Sequence, residues 1–203
     1  MTRTLHYLTH PQVRIDPAVP VPRWGLSDVG RARVEAFVAS GWCAGIDRIL
    51  SSDEAKAVET AELIAAAEGV LIEVDGFMHE NDRSATGFLP PAEFETVADQ
   101  FFARPEESVR GWERAVDAQA RIVAAVERAL ALPHGRRILM VGHGAVGTLL
   151  ACHIAGRPID RAHDQPAGGG HVFTADWTAR RLVHPWVPME RVVDVEPAVA
   201  GLA

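Results

Sequence analysis

The chain has 203 residues, 48% of them hydrophobic and 23% charged. This is close to ordinary globular usage and excludes a disordered tail, a collagen or a coiled coil as the whole chain. Twenty lysines and arginines stand against 27 aspartates and glutamates, a formal charge of −7, so there is no net pull on nucleic acid or an anionic membrane and a bound anion needs a local cluster of donors.

The first apolar run, Leu5 to Leu8, ends in Thr9, His10 and Pro11 and leads into a Pro-rich loop, which reads as a buried strand with His10 at its C-terminal end. Ser27 offers an N-cap for a helix over 27–40, closed near Gly41, with Val34, Phe37 and Val38 on one face. Ile46 to Leu50 is a second buried strand, ended by Ser51 and Ser52. Ser52 caps the next helix, Asp53 and Glu54 complement its dipole, and Ala55, Val58, Ala61, Leu63 and Ile64 give it an apolar face to about residue 67. A short strand around Val70 to Val74 precedes a loop over 75–91 punctuated by Gly76, Gly87, Pro90 and Pro91, a setting where function concentrates.

Residues 92–103 predict a short helix, and Val109 to Leu130 a long one, with Trp112, Val116, Gln119, Val123, Val126 and Leu130 near heptad spacing. Ile138 to Val141 is the strongest buried strand; Gly142, His143, Gly144 and Ala145 follow, then a helix over 146–155 ending at Gly156. Gly168 to Gly170 lacks the Lys-Ser/Thr of a P-loop and reads as a flexible connector. Val172 to Trp177 and Arg181 to Val187 are strands, a hairpin about Thr178 and Ala179 if antiparallel; the tail beyond Pro188 carries no assignment.

Strands alternating with helices predict an α/β fold, a three-layer sandwich whose largely parallel central sheet is flanked by helices, in one domain over 1–203. Residues 75–131 would form a loop and helical cap over the site. Ligands of such sheets bind beyond the carboxyl ends of the strands, where Thr9 and His10, Ser51 and Ser52, and Gly142 to Gly144 converge.

Two histidines at strand ends, with Lys56 one turn into the helix after a third, suit a dianionic phosphoryl group. A neutral imidazole can attack phosphorus while cations and N–H donors hold the developing charge. His10 would be the nucleophile, restrained by Pro11 behind it. His143, flanked by glycines, would donate to phosphoryl oxygens beside a helix N-terminus. No HxH or HExxH spacing occurs, so neither metal nor cofactor is expected. Cys43 and Cys152 read as buried or half-buried thiols. With no apolar run near the length of a bilayer span and no signal-peptide pattern at the start, the expected address is the cytoplasm, with no membrane and no nucleic-acid partner.

These residues resemble the histidine phosphatase superfamily, of the phosphoglycerate mutase-like fold. The family's Arg-His-Gly corresponds to Thr9, His10 and Pro11, its Leu-Thr-x-x-Gly to Leu26 through Gly30, its Ser-Ser-x-x-x-Arg-Ala-x-x-Thr-Ala to Ser51 through Ala61, and its late Gly-His-Gly to Gly142 through Gly144. The likeness spans roughly residues 4–155. It implies a phosphatase working through a phosphohistidine, metal-independent, on a phosphorylated small molecule or protein; a mutase, needing a second phosphate site, fits the sparse cations less well. It also implies that Glu80, in the loop where the family carries its general acid, protonates the leaving oxygen, with His79 and Asp82 as rivals.

Two family arginines are missing: threonine stands at position 9 and lysine at 56, and neither reproduces a guanidinium fork. Arg83 is favoured as a substitute, with Arg14 and Arg23 as further candidates and Thr9 and Lys56 as weaker phosphate contacts. The alternative function is a catalytically weak relative that binds an anionic ligand or protein partner. Oligomeric state is left open.

Overall fold

The computed structural model describes residues 4–132 and 135–196. Period-two alternation organises its central strands. In β1 (Thr4–Thr9), Leu5 and Tyr7 enter one core and Leu8 the other; in β4 (Arg137–Gly142), Ile138 and Met140 enter the first and Leu139 and Val141 the second. Strands apolar on both faces belong in the middle of a sheet covered on both sides.

Among the described residues, six strands run in the order β3-β2-β4-β1-β5-β6, where β2 is Arg48–Ser51, β3 Ile72–Val74, β5 His171–Asp176 and β6 Arg181–Pro188. β1 through β4 are mutually parallel, β5 runs antiparallel to β1, and β6 antiparallel to β5. One face packs α3 (Pro91–Ala103), α4 (Ala115–Ala131) and α5 (Gly144–Ile154), through Phe101, Ile122, Val126 and Leu149 among others. The other packs α1 (Asp28–Ala39) and α2 (Ala55–Glu68), through Val34, Phe37, Ala61 and Ile64. A short α6 (Val192–Val195) follows the last strand. The fold is the expected three-layer α/β sandwich. Of the segment over 75–131, α4 packs with α5 against the sheet, and the chain around Glu80 lies at the strand ends, its N–H donating to Glu54.

Three local expectations need correction. The long helix over 109–130 is interrupted: Arg110 and Gly111 take φ of +52° and +82°, and regular helix begins only at Ala115. Trp112 therefore lies outside α4 and is buried beside Phe94 and Phe101. Ser52 does not cap α2, which starts after Glu54; the Ser52 hydroxyl is turned to His143. Gly168, Gly169 and Gly170, read as a flexible connector, are packed into the site, since Gly170 N–H donates to the His10 carbonyl (3.1 Å) and a Cβ on Gly169 would lie 2.3 Å from that oxygen.

Candidate active site

The carboxyl ends of β1, β2 and β4 are tied together by backbone hydrogen bonds. His10 N–H donates to Gly142 O and Ser52 N–H to Val141 O, each at 3.0 Å. The His10 Nδ1 lies 2.8 Å from the Pro11 carbonyl. Only a protonated Nδ1 can pair with a carbonyl, so in the neutral ring Nε2 keeps the lone pair. The Pro11 carbonyl thus supplies the acceptor that orients the ring. Burial, assisted by the Lys56 cation, pulls His10 down to about 4, so the ring is neutral near pH 7. The His10 and His143 rings are 5.2 Å apart and inclined at 68°.

His143 is fully buried at the N-cap of α5. Its Nε2 is 2.8 Å from Ser52 Oγ, which also accepts the Glu54 N–H at 3.3 Å. When the Ser52 hydroxyl accepts from Glu54 and donates to Nε2, the His143 proton sits on Nδ1. That Nδ1 is buried with no hydrogen-bond partner among the described residues, an arrangement that calls for an external acceptor. Burial holds the imidazolium form well below the ordinary histidine range; Glu54 opposes this, while His10, Lys56 and Arg83 add to it.

The family-derived candidates fall into distinct places. Lys56 is buried and its Nζ bonds the Val21 carbonyl (3.0 Å) and the Glu54 carboxylate, so its charge is already matched. Glu80 caps α5, its carboxylate accepting from Ala145 N (3.2 Å) and Val146 N (3.1 Å), next to His143. Arg121 of α4 fixes this stretch of loop by donating to the Phe77, His79 and Glu80 carbonyls. Arg83 is half-buried with its guanidinium over the rings of Phe94 (5.1 Å) and Trp112 (5.6 Å), and its charge depresses both site histidines. Arg14 and Arg23 are exposed. Thr9 is buried, its hydroxyl donating to Gln165 Oε1 (2.6 Å) and accepting the His171 N–H (3.0 Å). His79 bonds the Glu80 carbonyl through Nδ1, and Asp82 is exposed in a turn with Ser84. Trp24 of the Pro-rich loop meets Phe88, ring centroids 5.6 Å apart.

Glu54 was missed by reading the sequence, where it served only the helix dipole. Its carboxylate is buried, accepts the Glu80 N–H at 2.9 Å, pairs with Lys56 and lies 3.5 Å from His143 Nε2. Burial pulls this carboxyl upward, but His143, Lys56 and the Glu80 N–H outweigh it and hold it below the usual carboxylate range. The available signal was an acid lodged inside the Ser-Ser-to-Lys segment, two residues before the lysine.

Two strand-end imidazoles and a carboxylate at a helix N-terminus thus meet at the carboxyl edge of a largely parallel sheet. The chain belongs to the histidine phosphatase superfamily (branch 1), whose family model matches residues 17–184; Thr9, His10 and Pro11 precede the matched span. Among curated relatives, the probable phosphoglycerate mutase GpmB of Salmonella arizonae is 32% identical over 122 residues, 56% of this chain and 55% of that protein. The protein of the same name from Proteus mirabilis is 35% identical over 117 residues, 53% of each. The chain thus spans about half the length of the curated relatives it matches. Among solved structures, mycobacterial hydrolase 1 superposes with a TM-score of 0.77 at 21% identity, covering 93% of this chain and all of that one (100%). A mycobacterial glucosyl-3-phosphoglycerate phosphatase in complex with inorganic phosphate gives 0.76 at 21% identity, over 93% of this chain and 99% of its own. At that identity these likenesses establish the shared fold. No described helix is long and apolar enough to cross a membrane.

Proposed function

We propose that the protein is a metal-independent phosphohydrolase that works through a phosphohistidine on His10, on a phosphorylated small molecule or protein. The observation that carries this reading is the His10 ring itself, anchored through Nδ1 on the Pro11 carbonyl and 5.2 Å from the buried His143 ring. Nε2 attacks phosphorus as the bond from phosphorus to the leaving oxygen breaks, and that oxygen takes a proton from Glu80 acting as acid. Water then attacks the phosphohistidine, the P–N bond breaks, and Glu80 recovers the proton. The unpartnered His143 Nδ1–H, the N-terminus of α5 and Arg83 are the groups available to phosphoryl oxygens. The 76–90 segment brings Glu80 and Arg83 to the site, and its Phe88 packs against Trp24.

A second reading, an anion-binding relative with little turnover, draws on the pairing of Lys56 with Glu54, which removes the motif's cation from service. The test is brief incubation with an aryl phosphate followed by an alkaline quench. The expected product is an acid-labile, base-stable phosphoryl group on His10, formed equally in the presence of a chelator. Full hydrolysis by His10→Ala refutes the covalent mechanism. Vanadate binding without turnover favours the second reading.

A further inference from the structure

We propose that Glu54 is a counter-anion built into the phosphate pocket, which neutralises Lys56 and makes binding of a dianion between His10 and His143 depend on uptake of one proton by His143. This rests on the reading of the site as a phosphoryl pocket and deepens it.

The charges around His143 come from every element packed on it. From the start of α2 come Glu54 and Lys56, from the chain after β1 His10, from the 79–90 loop Arg83, and at the α5 N-terminus Glu80; the Tyr7 hydroxyl of β1 lies at the His143 backbone. With both rings neutral and Glu80 holding the proton it donates in the reaction, Glu54 cancels Lys56 and Arg83 leaves a single net positive charge. A dianion entering such a pocket gives up its hydration with only one positive charge to receive it, and this is costly.

His143 is the group able to change that balance. Its Nε2 is 2.8 Å from Ser52 Oγ and 3.5 Å from Glu54 Oε1, and its Nδ1 has no partner among the described residues. A protonated ring donates from Nε2 toward Ser52 and Glu54 and from Nδ1 to the incoming oxygen, so that the imidazolium sits between two anions. Glu54 therefore acts in two ways: it consumes the lysine and it favours the histidine cation. Without Glu54, Lys56 keeps only the Val21 carbonyl among the partners described above and is free to meet the dianion, and the proton is no longer required.

Sulfate is the probe, because it stays a dianion across neutral pH and any pH dependence belongs to the protein. Calorimetric titration of the wild-type protein in two buffers of different ionisation enthalpy should show about one proton taken up per sulfate, with affinity falling about tenfold per pH unit as pH rises through neutrality. Glu54→Gln, which keeps an acceptor for the Glu80 N–H, should bind sulfate about tenfold or more tightly above neutral pH, with proton uptake falling toward zero. Uptake should also vanish in His143→Gln. Sulfate bound by wild type without proton uptake overturns the proposal even if Glu54→Gln fails to fold, and uptake that persists in His143→Gln overturns the assignment to that ring. A Glu54→Gln protein unchanged in affinity and uptake does the same. If a phosphohistidine forms on His10 while sulfate binds without uptake, the phosphatase reading stands and only the role of Glu54 falls; no sulfate binding at any pH counts against the anion pocket and thus against both.

Discussion

Replacing Arg83 with methionine should remove a cation that acts on both His10 and His143 and that, among the described residues, has no carboxylate partner. Its guanidinium lies 5.1 and 5.6 Å from the centroids of Phe94 and Trp112, so the substitution has two separable effects. Loss of the cation–π contacts at a half-exposed site costs about 1 kcal/mol of stability, a fall in Tm of roughly 2–4 °C for a chain of this size. Loss of a preorganised charge at the phosphoryl oxygens costs about 3 kcal/mol of transition-state stabilisation, roughly a hundredfold in kcat/KM. Lysine at 83 should fall between, keeping the charge but not the planar group that stacks on the rings. Thr9→Arg should bring no gain. Thr9 is buried with its hydroxyl shared between Gln165 and the His171 N–H, so an arginine there strands a buried donor at a cost of about 1–3 kcal/mol. Steady-state kinetics on an aryl phosphate, with Tm measured in parallel, checks both substitutions. The reasoning is refuted if Arg83→Met stays within about threefold of wild type while Thr9→Arg raises turnover about tenfold, worth roughly 1.4 kcal/mol of barrier; the pocket would then simply be short of a guanidinium.

Glu80→Gln should slow release of a poor, alkoxide-like leaving group far more than a phenolate-like one, since only the former needs the proton; equal losses would move the role to Asp82, His79 or water. Gly169→Ala places a Cβ 2.3 Å from the His10 carbonyl at a φ of +63°, where backbone strain alone costs about 1–2 kcal/mol. A lower Tm and weaker His10 phosphorylation are expected, and wild-type values for both would contradict the packing described. Because burial pulls His10 to about 4, the acid limb of kcat/KM should have its midpoint near there instead of at the ordinary histidine value of about 6.5; a limb at the ordinary value would show the ring to be solvated. His6, also pulled to about 4 chiefly by burial, binds a proton in the unfolded chain before it does in the folded one. Its stabilising contribution, on the order of 3 kcal/mol, is whole above about pH 6.5 and is lost as pH falls toward about 4. Acid unfolding of His6→Gln should be correspondingly flatter over that window.

The layered α/β fold, the burial of β1 and β4 and the placing of His10 and His143 at strand ends were legible in the chain itself. Those features are written in local patterns: apolar runs too short for helices, a Ser27 cap whose hydroxyl does accept the Gly30 N–H, and motif spacings that survive without knowledge of distant contacts. The break before α4 was not legible, because heptad-like spacing continues through Trp112 while the left-handed turn at Arg110 and Gly111 interrupts the helix. The loop carrying Glu80 and Arg83 likewise has no periodicity of its own; Arg121, more than forty residues away, sets its path, and Phe94 and Trp112 set the direction of Arg83.

The sequence by itself determined which chemistry was available: two imidazoles, an acid loop, and threonine at 9 and lysine at 56 where the resemblance implies arginines. Only the tertiary structure decided how those charges are spent. Whether Lys56 serves a ligand or an internal partner depends on where Glu54 and the Val21 carbonyl stand once α2 is docked. Whether Thr9 faces the pocket depends on Gln165 and on β5, more than 150 residues further along. Local propensity acts within a few residues and can be read along the chain, whereas hydrogen bonds and charge pairs depend on distances that exist only after the sheet has brought remote strand ends together.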